Sequence, residues 1–250
     1  MYYCCGISET GNTRKHNEDA FLINKIVMSH AKMESFAKEP FITAVADGVS
    51  GERSGEIASK LSLRLLADVN FSKSADIKKE INNIHKSLME YGMSHSEALN
   101  MQTTLCALAV DEENLAYSIN IGDSRMYRFF DGKLIQLTKD QSLVQLLCDA
   151  GAITEEERFF HEKKNFIFPV LGDIMSPPCT DIIKIGKINP GELILICTDG
   201  LSDYVRPEEI SIVLSRKERL LKKLSELVEL ALKRGSLDNI TIVAVSAGEE

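Results

Sequence analysis

Acidic residues stand at the boundaries of apolar runs throughout this chain. Phe41 to Ala46 is a strand-like run closed by Asp47-Gly48, and Leu193 to Thr198 is a second closed by Asp199-Gly200. Glu18-Asp19 precedes the run that starts at Ala20, Asp123 sits in the turn Gly122-Asp123-Ser124, Asp203 follows Asp199, and Asp238 stands just before Ile240. Carboxylates at the mouths of apolar strands are costly to bury unpaired, so a cation or a basic partner must neutralise them. An oxygen-only donor set without His or Cys favours magnesium or manganese over zinc. Two such ions about 3.5–4 Å apart turn a shared water into a nucleophile and stabilise charge on a phosphoryl oxygen. The planar fork of Arg14 suits the remaining phosphate oxygens. Glu18 and Asp19 are adjacent, and neighbours in a strand entered at Asp19 point to opposite faces, so only one of them can easily face a shared site. Acids beside turns are commonplace, however. For Asp131, in the hairpin signal Asp131-Gly132, the turn alone is reason enough.

The elements that must carry these residues follow from periodicity. Tyr2 to Ser8 and Ala20 to Met28 are predicted strands, and Lys32 to Pro40 is a polar stretch expected as a hairpin loop before the strand Phe41 to Ala46. Glu52 to Val69 carries Ile57, Leu61, Leu65 and Leu66 at helical spacing, and Asp76 to Tyr91 carries Ile77, Ile81, Ile84, Leu88 and Tyr91. From Thr103 the period changes to two. Thr104 to Val110, Leu115 to Asn120 and Arg125 to Phe130 read as successive antiparallel strands, with Lys133 to Leu137 closing a hairpin. Ser142 to Ala150 is a short helix, and Ile153 to Lys164 is a charged surface excursion anchored by Phe159 and Phe160, after which Asn165 to Leu171 returns to the core. Pro207 opens a helix to Leu214, as proline does at a first turn. Lys217 to Lys233 is an amphipathic helix closed by Gly235, and Ile240 to Val245 is the last strand. Strands near both termini with helices between them suit two packed sheets covered by helices.

At 250 residues, 44% hydrophobic and 26% charged, the chain is long enough for one large core and needs no second domain. A net charge of −8 argues against general nucleic-acid or anionic-membrane binding. An anionic substrate would need a local positive centre. The six cysteines form no CxxC pair, and four lie in apolar runs as small hydrophobes, which points to a reduced, cytoplasmic setting. Cys197 alternates with Asp199 and is expected to face the core. No apolar run is long enough to span a membrane, and the N-terminus lacks the order of a secretory signal.

The motifs taken together resemble those of the metal-dependent type 2C protein phosphatases, the PPM family. They are, in order, Arg14 to Asp19, Ala46-Asp47-Gly48-Val49-Ser50-Gly51, Thr103-Thr104-Leu105, Gly122-Asp123-Ser124-Arg125, Leu137 to Asp140, Cys197 to Asp203 and Asp238-Asn239-Ile240-Thr241. The resemblance covers essentially the whole chain, and the segment from Leu143 to Leu171 resembles the flap of compact bacterial members. It implies an α+β fold, a four-layer α-β-β-α sandwich of two antiparallel sheets flanked by helices, in one catalytic domain spanning residues 1–250. It also implies a centre of two manganese or magnesium ions at one end of the sheets. By matching position Asp47 would bridge the ions and the Gly48 carbonyl would serve one of them. Asp199 and Asp238 would hold the other, and Glu18 would contribute through water. Arg14 matches the phosphate-binding arginine. Asp123 and Asp203 match positions that, with Asp199, hold a third and weaker ion, while Asp19 and Asn239 would support the ligands from behind.

The resemblance further implies hydrolysis of phosphoserine and phosphothreonine in phosphorylated proteins by direct attack of metal-activated water. The chain would be a monomer opposing a serine/threonine kinase. One departure stands out. Val49 occupies the position where some members carry a histidine proposed to protonate the leaving group, and His161 and His16 are the alternatives by sequence. The flap also reads His161-Glu162-Lys163-Lys164-Asn165, where relatives often have a proline and an arginine. A catalytically inactive relative acting as a phosphoprotein-binding adaptor is the competing expectation. Its signature would be loss of Asp47, Asp199 or Asp238, and all three are present. A phosphatase restricted to one partner would share the chemistry with narrower scope.

Overall fold

The computed structural model describes residues 1–49, 53–72 and 75–248. Ser50, Gly51 and Glu52, which the sequence places in a loop and at the start of a helix, lie outside these. In chain order come β1 (Tyr2–Glu9), β2 (Ala20–Ile23), β3 (Ile26–Met28), β4 (Lys32–Ala37), β5 (Phe41–Ala46), α1 (Arg53–Ala67) and α2 (Ile77–Ser94). β6 (Leu105–Val110), β7 (Ala116–Ile121), β8 (Arg125–Phe130), β9 (Lys133–Gln136), α3 (Leu143–Asp149) and α4 (Glu155–Phe160) follow. The chain ends with β10 (Asp181–Gly186), β11 (Leu193–Cys197), α5 (Asp199–Ser202), α6 (Pro207–Leu214), α7 (Leu220–Lys233) and β12 (Ile240–Ala247).

One antiparallel sheet runs β4-β1-β12-β11-β8-β9 and the other β10-β7-β6-β5-β2-β3. Their facing sides pack Cys4, Phe21, Val45, Cys106, Met126, Ile194, Ile196 and Val243 into a central layer. α1 and α2 cover the second sheet, and α6 and α7 cover the first. The expected four-layer α-β-β-α sandwich is what forms. β5, β6 and β11 are buried along their whole length because each lies inside a sheet covered on both faces. That double burial makes them continuous apolar runs rather than alternating ones.

Several local expectations need correction. Ala20 to Met28 is a hairpin, β2 paired with β3, turning at Asn24, whose backbone is left-handed with φ 58°. Lys32 to Ala37 is a strand, not a loop. It pairs with β1 at the sheet edge and does alternate, with Lys32, Glu34 and Phe36 outward, so its polar outer face hid the period. β7 and β8 do not pair; they lie in different sheets, and Gly122-Asp123-Ser124 crosses between them. The buried side of α1 is centred on Gly55, Ala58, Ser59, Ser62, Leu63 and Leu66, while Ile57, Leu61 and Leu65 sit at its flank. Phe160, Phe166 and Phe168 are exposed, so the segment re-enters the core at Val170 and Leu171.

Candidate metal centre

Antiparallel pairing brings strand ends of opposite sense to one rim. Ala20 pairs with Ala46, Leu105 with Ile121, and Cys197 with both Ile242 and Arg125. The residues just beyond these pairs are therefore Asp19, Asp47, Thr104, Gly122, Ser124 and Thr198, and Asp238 lies two residues ahead of β12. Arg14, Glu18, Asp47, Gly48, Val49, Asp123, Asp199 and Asp238 line one cavity of about 180 Å³ there, together with Asn165 and Ile167. Among the described residues its lining includes no histidine or cysteine.

Each acid is held from behind. Asp47 donates its N–H to Thr104 Oγ1 at 3.0 Å, and its carbonyl accepts from Thr104 N and Thr103 Oγ1, both at 2.8 Å. Asp19 points away from the cavity and accepts from Thr198 Oγ1 at 2.8 Å, as the alternation of Glu18 and Asp19 requires. The same Thr198 oxygen accepts from Thr241 N at 3.1 Å, which locks β2, β11 and β12 together. Asn239 accepts from Glu18 N at 2.8 Å and donates to the carbonyls of Thr10 and His16 at 2.9 and 3.0 Å, so it fixes the Arg14 to Glu18 turn. Gly11, at φ 79°, lets that turn close on Asp238, whose carbonyl would be 2.7 Å from an added Cβ. Gly55 of α1 lies against Gly48 and Glu18, and a Cβ there would stand 2.7 Å from Glu18 Oε1.

Asp203 does not line the cavity. It follows Asp199 by one helical turn, donating its N–H to the Asp199 carbonyl at 2.9 Å, and its carboxylate pairs with Lys164 Nζ at 2.9 Å. Burial opposes the Lys164 charge, but Asp203 outweighs it and holds the ammonium above its usual range. Arg14 Nη2 donates to Asp238 Oδ2 at 2.7 Å, and Nη1 stands 4.0 Å from Glu18 Oε2. Neither His161 nor His16 lines the cavity, whereas Val49 does. His161 Nδ1 accepts from Lys163 N instead.

The electrostatics are those of crowded, buried carboxylates that outnumber the basic groups beside them. Burial first, then the charges of Asp19, Asp199, Asp238 and Asp123, push the Asp47 carboxyl well above the ordinary carboxylate range. Burial, then Asp123, Asp203 and Asp238, does the same to Asp199. Asp19 is pushed up to about 7 by burial and then Asp238, against the hydroxyls of Thr241 and Thr198. Asp123 is also pushed up to about 7, by burial and then Asp140 and Asp203, with Arg125 opposing. Asp199 Oδ1 is buried without a hydrogen-bond partner. Among the described residues, no group of three acids, histidines or cysteines already stands at ligating positions. Asp238 is paired with Arg14 and Asp203 with Lys164. The oxygen donors and the orphaned Asp199 oxygen fit hard divalent cations.

A family model described as protein phosphatase 2C matches residues 15–239. The chain belongs to the protein phosphatase 2C family. It is thus an enzyme, a protein phosphatase, in agreement with the motif resemblance. The serine/threonine phosphatase stp of Listeria welshimeri is 31% identical over 247 residues, covering 95% of this chain and 93% of that one. The S. agalactiae serine/threonine phosphatase structure superposes with a TM-score of 0.83 at 28% identity, over 99% of this chain and 100% of the other. The catalytic domain of the phosphatase PstP, solved with two manganese ions, gives 0.77 at 29% identity, over 98% and 99%. The family match starts one residue after Arg14, so Arg14 stands on its position at the cavity mouth. Thr103, Thr104, Thr198 and Thr241 belonged to quoted motifs and Lys164 to the quoted flap run, but the threonines' grip on Asp47 and Asp19 and the pairing of Lys164 with Asp203 were not legible.

Proposed function

We propose that this chain hydrolyses phosphoserine and phosphothreonine in proteins at a centre of two divalent cations, manganese or magnesium. One observation carries the reading: Asp47 and Asp238, distant in sequence, line the same small cavity with Arg14, Glu18, Asp123 and Asp199. Asp47 and the Gly48 carbonyl would serve one cation, and Asp199 and Asp238 the other, with Asp47 between them and Glu18 contributing through water. The cations supply Lewis acidity and a nucleophilic water.

The chain's own residues do the rest. The Thr103 and Thr104 bonds hold Asp47 at a fixed height on the rim, and Thr198 and Asn239 keep Asp19 and Glu18 in place behind the ligands. Arg14, 40% exposed at the cavity mouth, offers the fork that suits two phosphoryl oxygens. Val49 offers no proton, so the leaving group takes one from water or another residue, or departs as an anion. The free cysteines, Cys197 among them packed in the core, leave no thiol nucleophile at the cavity and fit a reduced cytoplasm. No described helix is long and apolar enough to cross a membrane. Phosphorylated proteins are the substrates, a serine/threonine kinase would be the opposing enzyme, and the chain would act as a monomer.

The test is p-nitrophenyl phosphate hydrolysis with Mn2+, with and without chelator, for wild type and Asp199→Ala. Hydrolysis is expected to be lost on chelation and to fall at least about a hundredfold in the variant, no less than loss of a residue that merely supports a ligand. Full activity in both arms would overturn the reading.

A further inference from the structure

The buried stripe of α2 is apolar at Ile81, Ile84 and Leu88, yet His85 lies buried among them. Its Nδ1 accepts the Gly172 N–H at 3.1 Å. A ring nitrogen that accepts carries no proton, so the imidazole is neutral with its proton on Nε2. Burial favours that state by lowering the His85 pKa, with Asp173 opposing and Lys86 reinforcing. Gly172 is itself buried, so losing this acceptor would strand its N–H.

Gly172 is the outer end of a short ladder that reaches the metal rim. Leu171 and Thr103 exchange both backbone hydrogen bonds, at 2.9 and 3.1 Å, and Thr103 bridges in turn to Gly48. Val49 N donates to the Gln102 carbonyl at 2.9 Å, beside the bonds that Thr103 and Thr104 make to Asp47. Gly172, at φ 84°, lies so close to the Met101 carbonyl that an added Cβ would collide with it. The stretches 171–172, 101–104 and 47–49 thus lie edge to edge, with His85 at one side and Asp47 and Gly48 at the other.

Resting on the proposed metal-centre reading, we infer that His85 is a positioning residue for the reaction: from α2 it sets, through Gly172 and Thr103, where Asp47 and the Gly48 carbonyl stand at the cavity. It touches neither substrate nor cation. Its action falls on the cations, because Asp47 is the ligand assigned to both, and not on Arg14, whose partners are Asp238 and Glu18. Loss of the acceptor therefore lowers kcat and cation affinity and leaves KM for the phosphate alone. A leucine fills the same space and accepts nothing. An asparagine keeps an acceptor, since its Oδ1 stands one bond from Cγ as Nδ1 does. A glutamine sets its oxygen one bond farther out and misplaces it.

The experiment is steady-state hydrolysis of p-nitrophenyl phosphate by the full chain across a Mn2+ titration, paired with hydrogen exchange of the Gly172 amide, for wild type, His85→Leu, His85→Asn and His85→Gln. His85→Leu should lower kcat about threefold to tenfold, less than loss of a residue bonded to a ligand itself. It should raise the Mn2+ needed for half-maximal rate by a similar factor, keep KM at saturating Mn2+ within about twofold of wild type, and speed exchange at Gly172. His85→Asn should restore most of kcat, the Mn2+ requirement and the protection of Gly172. His85→Gln should fall with His85→Leu, so the test holds even where leucine prevents folding. Wild-type kcat in His85→Leu or His85→Gln, a loss that His85→Asn does not restore, or a change confined to KM overturns the role of His85 and leaves the metal centre standing. Absence of Mn2+-dependent hydrolysis in wild type overturns the metal-centre reading itself.

Discussion

At the rim, Asp47, Asp19 and Glu18 are fixed by backbone pairing and by Thr103, Thr104, Thr198 and Asn239, all of them buried. Over the rim, the 143–171 segment is paired to the body only at its ends, Ile167 with Ser142 and Leu171 with Thr103, and its charged middle is tied down by ion pairs. Arg158 reaches the buried Asp140 at 3.2 Å, Lys164 reaches Asp203, and Arg206 reaches Glu156 at 2.7 Å with both side chains about half or more exposed. Buried neutral donors hold a geometry because losing them leaves a polar group stranded. Exposed ion pairs hold one weakly and yield to salt. The rim is thus built to keep ligands in register, while within the segment the Arg206–Glu156 tie is the one that yields at small cost, the Arg158–Asp140 pair being enclosed.

The largest expected effect lies at the mouth of the rim. Arg14→Ala should raise KM by about one to two orders of magnitude with kcat much less changed, the worth of a charged phosphate contact at roughly 1.5–3 kcal/mol. An unchanged KM in steady-state kinetics removes Arg14 from the substrate's path. Next comes the rim's hydrogen bonding. Thr198→Val strips the partner from Asp19 and from Thr241 N, and should cost about 1–3 kcal/mol of stability in urea unfolding. The same variant should lower Mn2+ affinity about tenfold to a hundredfold. Loss of stability with full metal affinity would mean that Thr198 holds the sheets and not the site.

A third expectation concerns pH without metal. Asp19 and Asp123 titrate at about 7 in the folded chain, against about 3.9 when unfolded. Between those values the native state binds more protons, so stability falls as pH rises and the loss is complete above about pH 7. Thermal melts of the chelated protein should show Tm several degrees lower at pH 8 than near pH 5.5, with Mn2+ erasing most of the difference. A flat or rising Tm contradicts the uncompensated cluster. The smallest effect belongs to the segment. Arg206→Ala removes the exposed pair to Glu156 and should leave both Tm and kcat nearly unchanged in the same melts and assays. A larger loss would show that this tie is structural after all.

The same contrast explains what the sequence disclosed. Asp47 and Asp199 were legible because each ends a doubly buried strand in an Asp-Gly break, and Asp203 because it closes the quoted motif Cys197 to Asp203. The crossing of Gly122-Asp123-Ser124 from one sheet to the other was not legible, since β7 and β8 carry the same period whichever sheet they join. β4 was missed because an edge strand with Lys32 and Glu34 outward looks like a loop. The face of α1 was misplaced because Gly55, Ala58, Ser59 and Ser62, small enough to bring the helix close to Gly48 and Glu18, give no hydrophobic signal. The segment's attachments were hidden because Arg158, Lys164 and Arg206 find partners far along the chain.

Anomalous diffraction at the manganese edge from crystals soaked in Mn2+ addresses the central claim most directly. Two strong peaks in the rim cavity are expected, with Asp47 touching both and Asp199 and Asp238 sharing one. Peaks elsewhere, or Asp47 and Asp238 bound to no common cluster, would contradict it.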